Sequence, residues 1–235
     1  MVIGFSCGVF HKLQNNSNER FSEKSMQQFY DAGANAIELM CHTIEHLTYL
    51  SMGNYKYIDR FDHVSIHAPA VSYDDNLVSH ELLQQIESLC KIFAIKSVVF
   101  HPDTVKNWNV INTYSAIPVA IENMDERKKS FRTRDDVKRL LDKYPFGLVI
   151  DLQHCFANDP VMQLARDLHA SFYDRIVGYH ISGYDVELLH VPLCERTQDV
   201  IISELQRKDV PIIIESTFDA YGDADLEMRY ILERL

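Results

Sequence analysis

Short runs of β-branched and other apolar residues recur along the chain about every thirty residues. Each run has a polar residue at or near its end and leads into a segment with helical apolar spacing. The runs cover residues 2–5, 36–39, 64–66, 97–100, 119–121, 148–150, 176–179 and 212–214. Near-continuous apolar strands that alternate with helices predict a parallel sheet covered by helices, and at this repeat count a closed (β/α)8 barrel.

Residues typical of helix ends support this alternation. Ser22, Ser79 and Thr133 each precede a helical pattern as N-cap candidates, and Gly33 closes the first of these helices. A doubly wound open sheet is the alternative, but no GxGxxG turn follows the first strand. No linker or low-complexity segment divides the chain, so we expect one barrel domain over residues 1–235.

Composition narrows the class of protein. The 235 residues are 46% apolar, which is ample for one packed core. The formal charge of −11 argues against extensive electrostatic binding of nucleic acid. Carboxylates that hold metal ions would, however, account for part of this negative charge. Five scattered cysteines without a CxxC pair argue against disulfides and thiolate zinc sites. Without a long apolar run or a signal-peptide pattern, we expect a cytoplasmic protein that does not enter membranes.

Candidate chemistry lies at the strand ends, which in such a barrel meet on the face that carries active sites. The polar residues at or next to the ends of strands two to eight are Glu38, His67, His101, Glu122, Asp151, His180 and Glu215. Carboxylates gathered with imidazoles in one cavity with apolar walls would repel one another and lack partners unless cations neutralise them. This mixture of nitrogen and oxygen donors suits zinc, manganese or iron(II). His154, three residues after Asp151, and His190, ten after His180, could reach the same centre.

Other polar residues near this face are weaker candidates for the active site. The candidates for substrate contact are Glu38, Asn123 and His11, which lies in the loop after the first strand. Asn123 could instead support Glu122 or cap a helix. Glu38 either lies near the site or pairs with a barrel lysine. The charged stretch 126–134 is the candidate basic patch for a phosphate. The histidines that we expect on the surface or in helix packing are His42, His46, His63, His80 and His169.

The strand-end motifs resemble those of a known family. They are VSIHAP, VVFHPD, VAIEN, VIDLQH, GYHISG, HVPLCE and PIIIE, and together they extend over nearly the whole chain. In this pattern the sequence resembles the xylose-isomerase-like barrels, which include the AP endonuclease 2 (endonuclease IV-like) family, UV-damage endonucleases, and sugar isomerases and epimerases. The resemblance implies a TIM barrel with a metal-dependent active site.

The resemblance also implies metal ligands. The set that matches the ligands shared by the whole family is Glu122, Asp151, His180 and Glu215. His67 and His101, with a bridging Glu122, match the ligands of a second zinc in endonuclease IV. His154 and His190 match two ligands of its third zinc, whose remaining aspartate is replaced here by Leu188. Asp185 or Glu187 are the nearby carboxylates that could substitute for it.

Two activities follow from the resemblance, with Glu122, Glu215 and His154 as the candidate catalytic residues. A cluster of two or three metals implies a hydrolase of phosphodiester or phosphoester bonds, acting on damaged DNA or on a small phosphorylated substrate. A single metal implies a sugar isomerase or epimerase in which Glu122 and Glu215 exchange a proton between carbons. A degenerate, non-catalytic barrel is the third alternative.

Overall fold

A closed barrel of parallel strands forms the centre of the protein, as the sequence predicts. The computed structural model describes residues 1–53, 55–187 and 189–235. The barrel strands are β1 (Ile3–Ser6), β2 (Ala36–Met40), β3 (His63–His67), β4 (Ser97–Phe100), β5 (Val119–Glu122), β6 (Gly147–Asp151), β7 (Ile176–Ile181) and β10 (Ile212–Ile214). Each of β1 to β6 pairs in parallel with the next strand, and β10 closes the ring between β7 and β1.

Helices follow the strands and cover the outside of the barrel. They are α1 (Glu23–Asp31), α2 (Ile44–Met52), α3 (Leu77–Ile92), α4 (Trp108–Asn112), α5 (Arg134–Leu141), α6 (Leu152–Asn158), α7 (Gln163–Phe172), α8 (Asp199–Ser203) and α9 (Asp223–Leu232). None of the helices in the described ranges is long and apolar enough to cross a bilayer.

Side-chain alternation along the strands separates two apolar regions. Residues such as Ile121 and Ile150 point outward and join the main core between barrel and helices. Val99, Ala120 and Val149 form a separate small cluster that faces the other way, into the barrel. Two residues after each of these inward positions, the same face carries a polar side chain at the strand end. The barrel interior is therefore apolar at its base and polar at its C-terminal mouth.

The predicted helix starts are confirmed in two cases and wrong in one. The Ser22 and Thr133 hydroxyls accept hydrogen bonds from backbone N–H groups in the first turns of α1 and α5. Helix α3 instead begins after Asn76, whose side chain accepts a hydrogen bond from the N–H of Ser79 at 3.0 Å. The Ser79 hydroxyl accepts from the N–H of Asp74 and stabilises the loop. Because both residue types are good caps, local sequence does not choose between them.

A two-stranded antiparallel ribbon interrupts the segment after β7. It consists of β8 (Gly183–Asp185) and β9 (Leu189–Val191), with Tyr184 opposite His190. The ribbon turns the chain back over the barrel mouth and so returns His190 to the strand ends. The sequence predicts that His190 reaches back from a loop, and the paired ribbon is the element that achieves this.

The contact between β1 and β2 depends on a glycine. Gly4 pairs with Ala36, and a Cβ atom at Gly4 would lie only 1.7 Å from the carbonyl oxygen of Ala36. Because that obstacle is backbone inside a closed ring, it has little freedom to move away.

Replacing Gly4 with alanine should therefore destabilise the barrel. We expect Gly4→Ala to cost about 3 kcal/mol or more, at the upper end of overpacking effects. At roughly 2–4 °C per kcal/mol, the melting temperature should fall by about 6–12 °C, as measured by circular dichroism. Gly222→Ala is the matched control, because Gly222 has helical φ and ψ and open space around its Cβ position. Equal melting temperatures for the two variants would contradict the argument.

Candidate metal centre

The polar residues predicted at the strand ends converge in one buried space at the barrel mouth. Parallel strands bring their C-terminal ends together, and the inward side chains of neighbouring strands then point at one another. Glu122, Asp151 and His180 are each 1% exposed, and His67 is 6% exposed. Charged groups buried to this extent need compensating partners.

The first group of donors comes from strands β5, β6, β7 and β10. It consists of Glu122, Asp151, His180 and Glu215, whose ligand atoms all lie within 4.8 Å of one another. His180 is central, because its Nδ1 lies 3.1 Å from Glu122 Oε1 and 3.5 Å from Glu215 Oε1. Asp151 also caps α6, since its Oδ1 accepts a hydrogen bond from the His154 N–H at 2.7 Å. The cap fixes the carboxylate and leaves Oδ2 to face the group.

The second group of donors comes from strands β3, β4 and β5. It consists of His67, His101 and Glu122, with the two Nε2 atoms 3.5 and 3.3 Å from Glu122 Oε2. The Nδ1 of His67 lies 3.2 Å from the carbonyl of Ala68. A proton on Nδ1 would serve that carbonyl and leave the Nε2 lone pair directed at Glu122.

Glu122 is shared between the two groups through different oxygens. Its Oε1 faces His180, and its Oε2 faces His67 and His101. A carboxylate in this position has the geometry of a bridge between two cations. Glu122 is therefore the residue on which the whole arrangement converges.

Unpaired buried oxygens show that these residues fit a bound cation. Within the described ranges, Glu122 Oε2, Asp151 Oδ2 and Glu215 Oε1 are buried and have imidazole nitrogens at 3.3 to 3.5 Å, but none of the three accepts a hydrogen bond. A buried carboxylate without compensation is costly, and a divalent cation supplies both the charge and the coordination that it lacks. Mixed imidazole and carboxylate donors suit zinc, manganese or iron(II).

The acid–base properties of the cluster reflect the crowding of negative charge. Burial, reinforced by the charge of Glu122, raises the pKa of Asp151 well above its usual range. Burial also raises the pKa of Glu215 to about 7, with neighbouring carboxylates adding to the effect. Burial alone would raise the pKa of Glu122, but the charge of His180 and contacts with other imidazoles lower it well below its usual range. Glu122 therefore stays ionised, and a bound cation would favour the ionised forms of Asp151 and Glu215 as well.

Glu38 lies behind the centre and holds His180 in place. The Nε2 of His180 lies 3.2 Å from Glu38 Oε2, and the Ser65 hydroxyl donates to the same oxygen at 3.0 Å. A proton on Nε2 is thereby directed to Glu38, which leaves the Nδ1 lone pair for the centre. The partners of Glu38 are this histidine and serine, and not the barrel lysine considered from sequence.

Asn123 is also a supporting residue. Its side chain donates to the carbonyl of Asp151 at 3.0 Å and accepts from the Asp151 N–H at 2.9 Å. The amide thus ties the end of β5 to the end of β6. In the described structure, Glu38 and Asn123 do not line the cavity over the centre. Their expected contact with substrate stays a prediction.

His154 and His190 form the edge of the centre, with their ring centroids 5.8 Å apart. The Nδ1 of His154 lies 2.8 Å from the carbonyl of Asn123, so Nε2 faces outward, 3.7 Å from Asp125 Oδ2. Burial, with the charge of His154, lowers the pKa of His190 to about 3, which keeps this imidazole neutral. A neutral imidazole can bind a cation or accept a hydrogen bond.

The carboxylate expected for a third metal has no confirmed substitute. Leu188, where the family pattern has aspartate, lies outside the described residues. Asp185 forms an ion pair with Arg196 at 2.9 Å, and Glu187 is exposed. Besides Glu122 and Asp151, which lie 3.5 Å from His154 Nδ1, Asp125 approaches the Nε2 of this histidine, and Asp125 was not a candidate from sequence. The signal was its position three residues after Glu122, in a loop that leaves a strand end.

A cavity of about 580 Å³ opens above the centre. The predicted site residues that line it are His11, His67, His101, Glu122, His154, His190 and Glu215. Arg127 and Lys128, from the candidate basic patch, also line it, as do His42, Asp125 and Thr217, which were not site candidates from sequence. His42 was expected on the surface or in packing, yet it follows β2 by two residues and thus belongs to the same mouth. Asp151 and His180 lie deeper, below the cavity floor.

Comparisons with known proteins identify the fold. No protein-family model matches the chain, and no curated protein matches it by sequence. Among solved structures, D-allulose 3-epimerase from Methylomonas sp. aligns over 100% of this chain and 98% of its own, with 15% identity and a TM-score of 0.68. Endonuclease IV from Thermus thermophilus aligns over 100% of both chains, with 15% identity and a TM-score of 0.66. IolI, solved with a bound zinc atom, aligns over 100% of this chain and 96% of its own, with 16% identity and a TM-score of 0.63.

These structures are xylose-isomerase-like barrels, so the fold implied by the sequence resemblance is confirmed. They include an epimerase and a nuclease, and identities of 15–16% do not transfer either activity to this chain. The choice between the two chemistries has to come from the residues of the centre itself.

The contact between Glu38 and His180 gives a test of the metal centre. We expect Glu38→Gln to weaken zinc binding about 10-fold or more, the usual effect of losing a carboxylate partner of a ligand histidine. The measurement is zinc affinity by competition with a chromogenic chelator. Glu204→Gln is the control, because Glu204 is also buried but forms an ion pair with Arg166 at 2.6 Å, away from the cavity. It should lower the melting temperature without changing zinc affinity, and unchanged affinity in Glu38→Gln would contradict the assignment.

Proposed function

We propose that this protein is a metal-dependent hydrolase of phosphoester bonds that works with two divalent cations. The observation that carries the proposal is the sharing of Glu122 between two groups of donors, one on each of its oxygens. Phosphoester hydrolysis by a two-metal mechanism needs two neighbouring cation sites, and the two donor groups could provide them. We expect zinc at both positions, with manganese and iron(II) as the alternatives.

The imidazoles on β3 and β4 favour hydrolysis over isomerisation. A single-metal isomerase is complete with Glu122, Asp151, His180 and Glu215, and needs no further donors. His67 and His101 nevertheless lie within 3.5 Å of the shared carboxylate and direct their Nε2 atoms to it. Such placement of two more histidines is explained by a second cation.

Each residue of the centre then has a separate task. When bound, the two cations polarise a phosphoryl oxygen and neutralise the charge that develops on the leaving oxygen. Glu122 holds both positions at a fixed separation. Glu215 lines the cavity beside the other donors, where its carboxylate could take a proton from the attacking water. His154 presents Nε2 to the cavity, where it can hydrogen-bond a substrate oxygen.

Isomerisation or epimerisation of a sugar is the second candidate. The observation that favours it is the opposite shift of two neighbouring carboxyl pKa values, down for Glu122 and up for Glu215. Carboxyl groups whose pKa values are driven apart can serve as a paired base and acid. The epimerases among the structures of the same fold agree with this alternative. It predicts that deuterium from solvent enters a ketose, and that Glu122→Gln and Glu215→Gln stop the exchange.

Metal content separates the two candidates. We expect about two metal ions per wild-type chain and about one in His101→Ala, because this substitution removes a donor from the β3–β5 group only. The measurement is elemental analysis of protein purified without chelator or histidine tag. Hydrolysis of bis(p-nitrophenyl) phosphate and of p-nitrophenyl phosphate should fall at least about 100-fold in the variant.

His80→Ala is the control for histidine removal. His80 contacts Tyr114 and Asp75 away from the cavity, and its side chain is 37% exposed. Its loss should change neither metal content nor activity. One metal ion in wild type, with none lost in His101→Ala, would refute the two-metal hydrolase and direct the assays to ketose epimerisation.

A further inference from the structure

We propose that Arg127 and Lys128 form an anion subsite in the cavity and bind the phosphate of a small phosphorylated substrate. The inference deepens the proposed function, because it names the substrate class of the same site. Both residues belong to the loop between β5 and α5, directly after Glu122. Both line the cavity together with the donors of the centre.

Asp125 fixes the position of Arg127. Its Oδ1 accepts a hydrogen bond from the Arg127 backbone N–H at 2.9 Å, and its Oδ2 accepts from Arg127 Nε at 2.9 Å and from Nη2. Asp125 itself is 2% exposed and lies beside His154. The loop is closed by a hydrogen bond from the Met124 N–H to the carbonyl of Phe131 at 2.8 Å. The guanidinium is thus held at the edge of the metal centre.

Lys128 is held from the neighbouring strand end. Its ammonium lies 3.2 Å from Asp103 Oδ2, and its backbone N–H donates to the carbonyl of Asp125 at 3.1 Å. Asp103 follows His101 by two residues, so the lysine reaches across from the loop after β5 to the loop after β4. The Arg127 guanidinium and the Lys128 ammonium therefore lie at fixed positions beside the cavity.

Arg127 keeps the capacity to bind a further anion. Its side chain is 45% exposed, and its Nη1 has no hydrogen-bond partner in the ranges that the structure describes. The planar guanidinium offers several donors, which suits the oxygens of a phosphate. Asp125 uses one edge of the fork and leaves the remaining donors for a ligand.

The charge around the cavity favours an anion. The carboxylates that line it in the described structure are Glu122, Asp125 and Glu215. Cations at the centre would neutralise Glu122 and Glu215, while Asp125 pairs with Arg127 and Asp103 pairs with Lys128. Although the chain as a whole carries a charge of −11, no carboxylate that lines the metal-loaded cavity would then lack a positive partner. A bound anion would therefore meet metal ions and the Arg127 and Lys128 side chains, and not uncompensated carboxylates.

The same features favour a small molecule over DNA. A cavity of about 580 Å³ is of the size that holds small-molecule ligands. Binding to duplex DNA requires several phosphate contacts spread along the backbone. The other arginines of the stretch do not line the cavity: Arg132 contacts Asn158, and Arg134 contacts Asp135. The side chains of Arg127 and Lys128 are enough to bind one phosphate group, but they are too few to bind along a nucleic-acid backbone.

The test is phosphate binding by the metal-loaded protein. We expect Arg127→Met to raise the dissociation constant of inorganic phosphate about 10-fold or more in isothermal titration calorimetry, as loss of charge-assisted hydrogen bonds does. Lys128→Met should raise it severalfold, and Arg127→Lys should give a value between wild type and Arg127→Met. Lys129→Met is the matched control, since this neighbouring lysine is outside the cavity lining. Metal content, measured in parallel, should be unchanged in all four variants.

The outcomes separate this inference from the proposed function. Unchanged phosphate affinity in Arg127→Met and Lys128→Met would overturn the subsite, whatever the metal content. Weakened phosphate binding in a protein that holds one metal ion would retain the subsite and refute the two-metal hydrolase. Binding of ribose 5-phosphate that depends on Arg127 supports the small substrate. Arg127-dependent binding of an abasic DNA duplex, with none of ribose 5-phosphate, would overturn it in favour of DNA.

Discussion

The structure depends on the burial of carboxylates and imidazoles around one shared glutamate. Glu122 is 1% exposed and has nitrogens of four histidines within 3.5 Å of its two oxygens. Because these groups are buried, the cluster is stable only where positive charge balances the carboxylates. Protons can supply part of it, as the raised pKa values of Asp151 and Glu215 show. Divalent cations would supply the rest, because the donor atoms of each group already lie within 4.8 Å of one another.

The barrel makes this concentration of charge sterically feasible. Along each strand, every second side chain points inward, and the lower inward positions are small or apolar, as at Ala120 and Val149. The last inward position is then free to be polar, because it meets the cavity and not the packed interior. The main core lies outside the ring, between strands and helices, and does not need the mouth for stability. Separate regions therefore serve folding and chemistry.

Sequence alone predicted the parts that repeat and missed those set by long-range contacts. The strands and their polar ends were predictable because apolar runs, helical spacing and the strand-end residue are local features. Asp125 and His42 were missed because only the closure of a loop shows which of its side chains turn to the cavity. The start of α3 at Asn76 was missed for a related reason, since two good caps stood close together and tertiary contacts chose between them. His190 was predictable as a candidate, but not the ribbon that carries it.

Barrels of this fold include proteins solved as epimerases and as an endonuclease, so the fold does not determine the reaction. What can differ is the number of cations that the donors hold and the charge that the loops add above them. In this chain both the number of cation sites and the charge of the loops favour phosphoester hydrolysis. The histidines of β3 and β4 extend the four-donor group through the second oxygen of Glu122. The loop after Glu122 places Arg127 and Lys128 in the lining of the same cavity. Strand β5 therefore supplies the glutamate that both donor groups share and leads directly into the segment that would select the substrate.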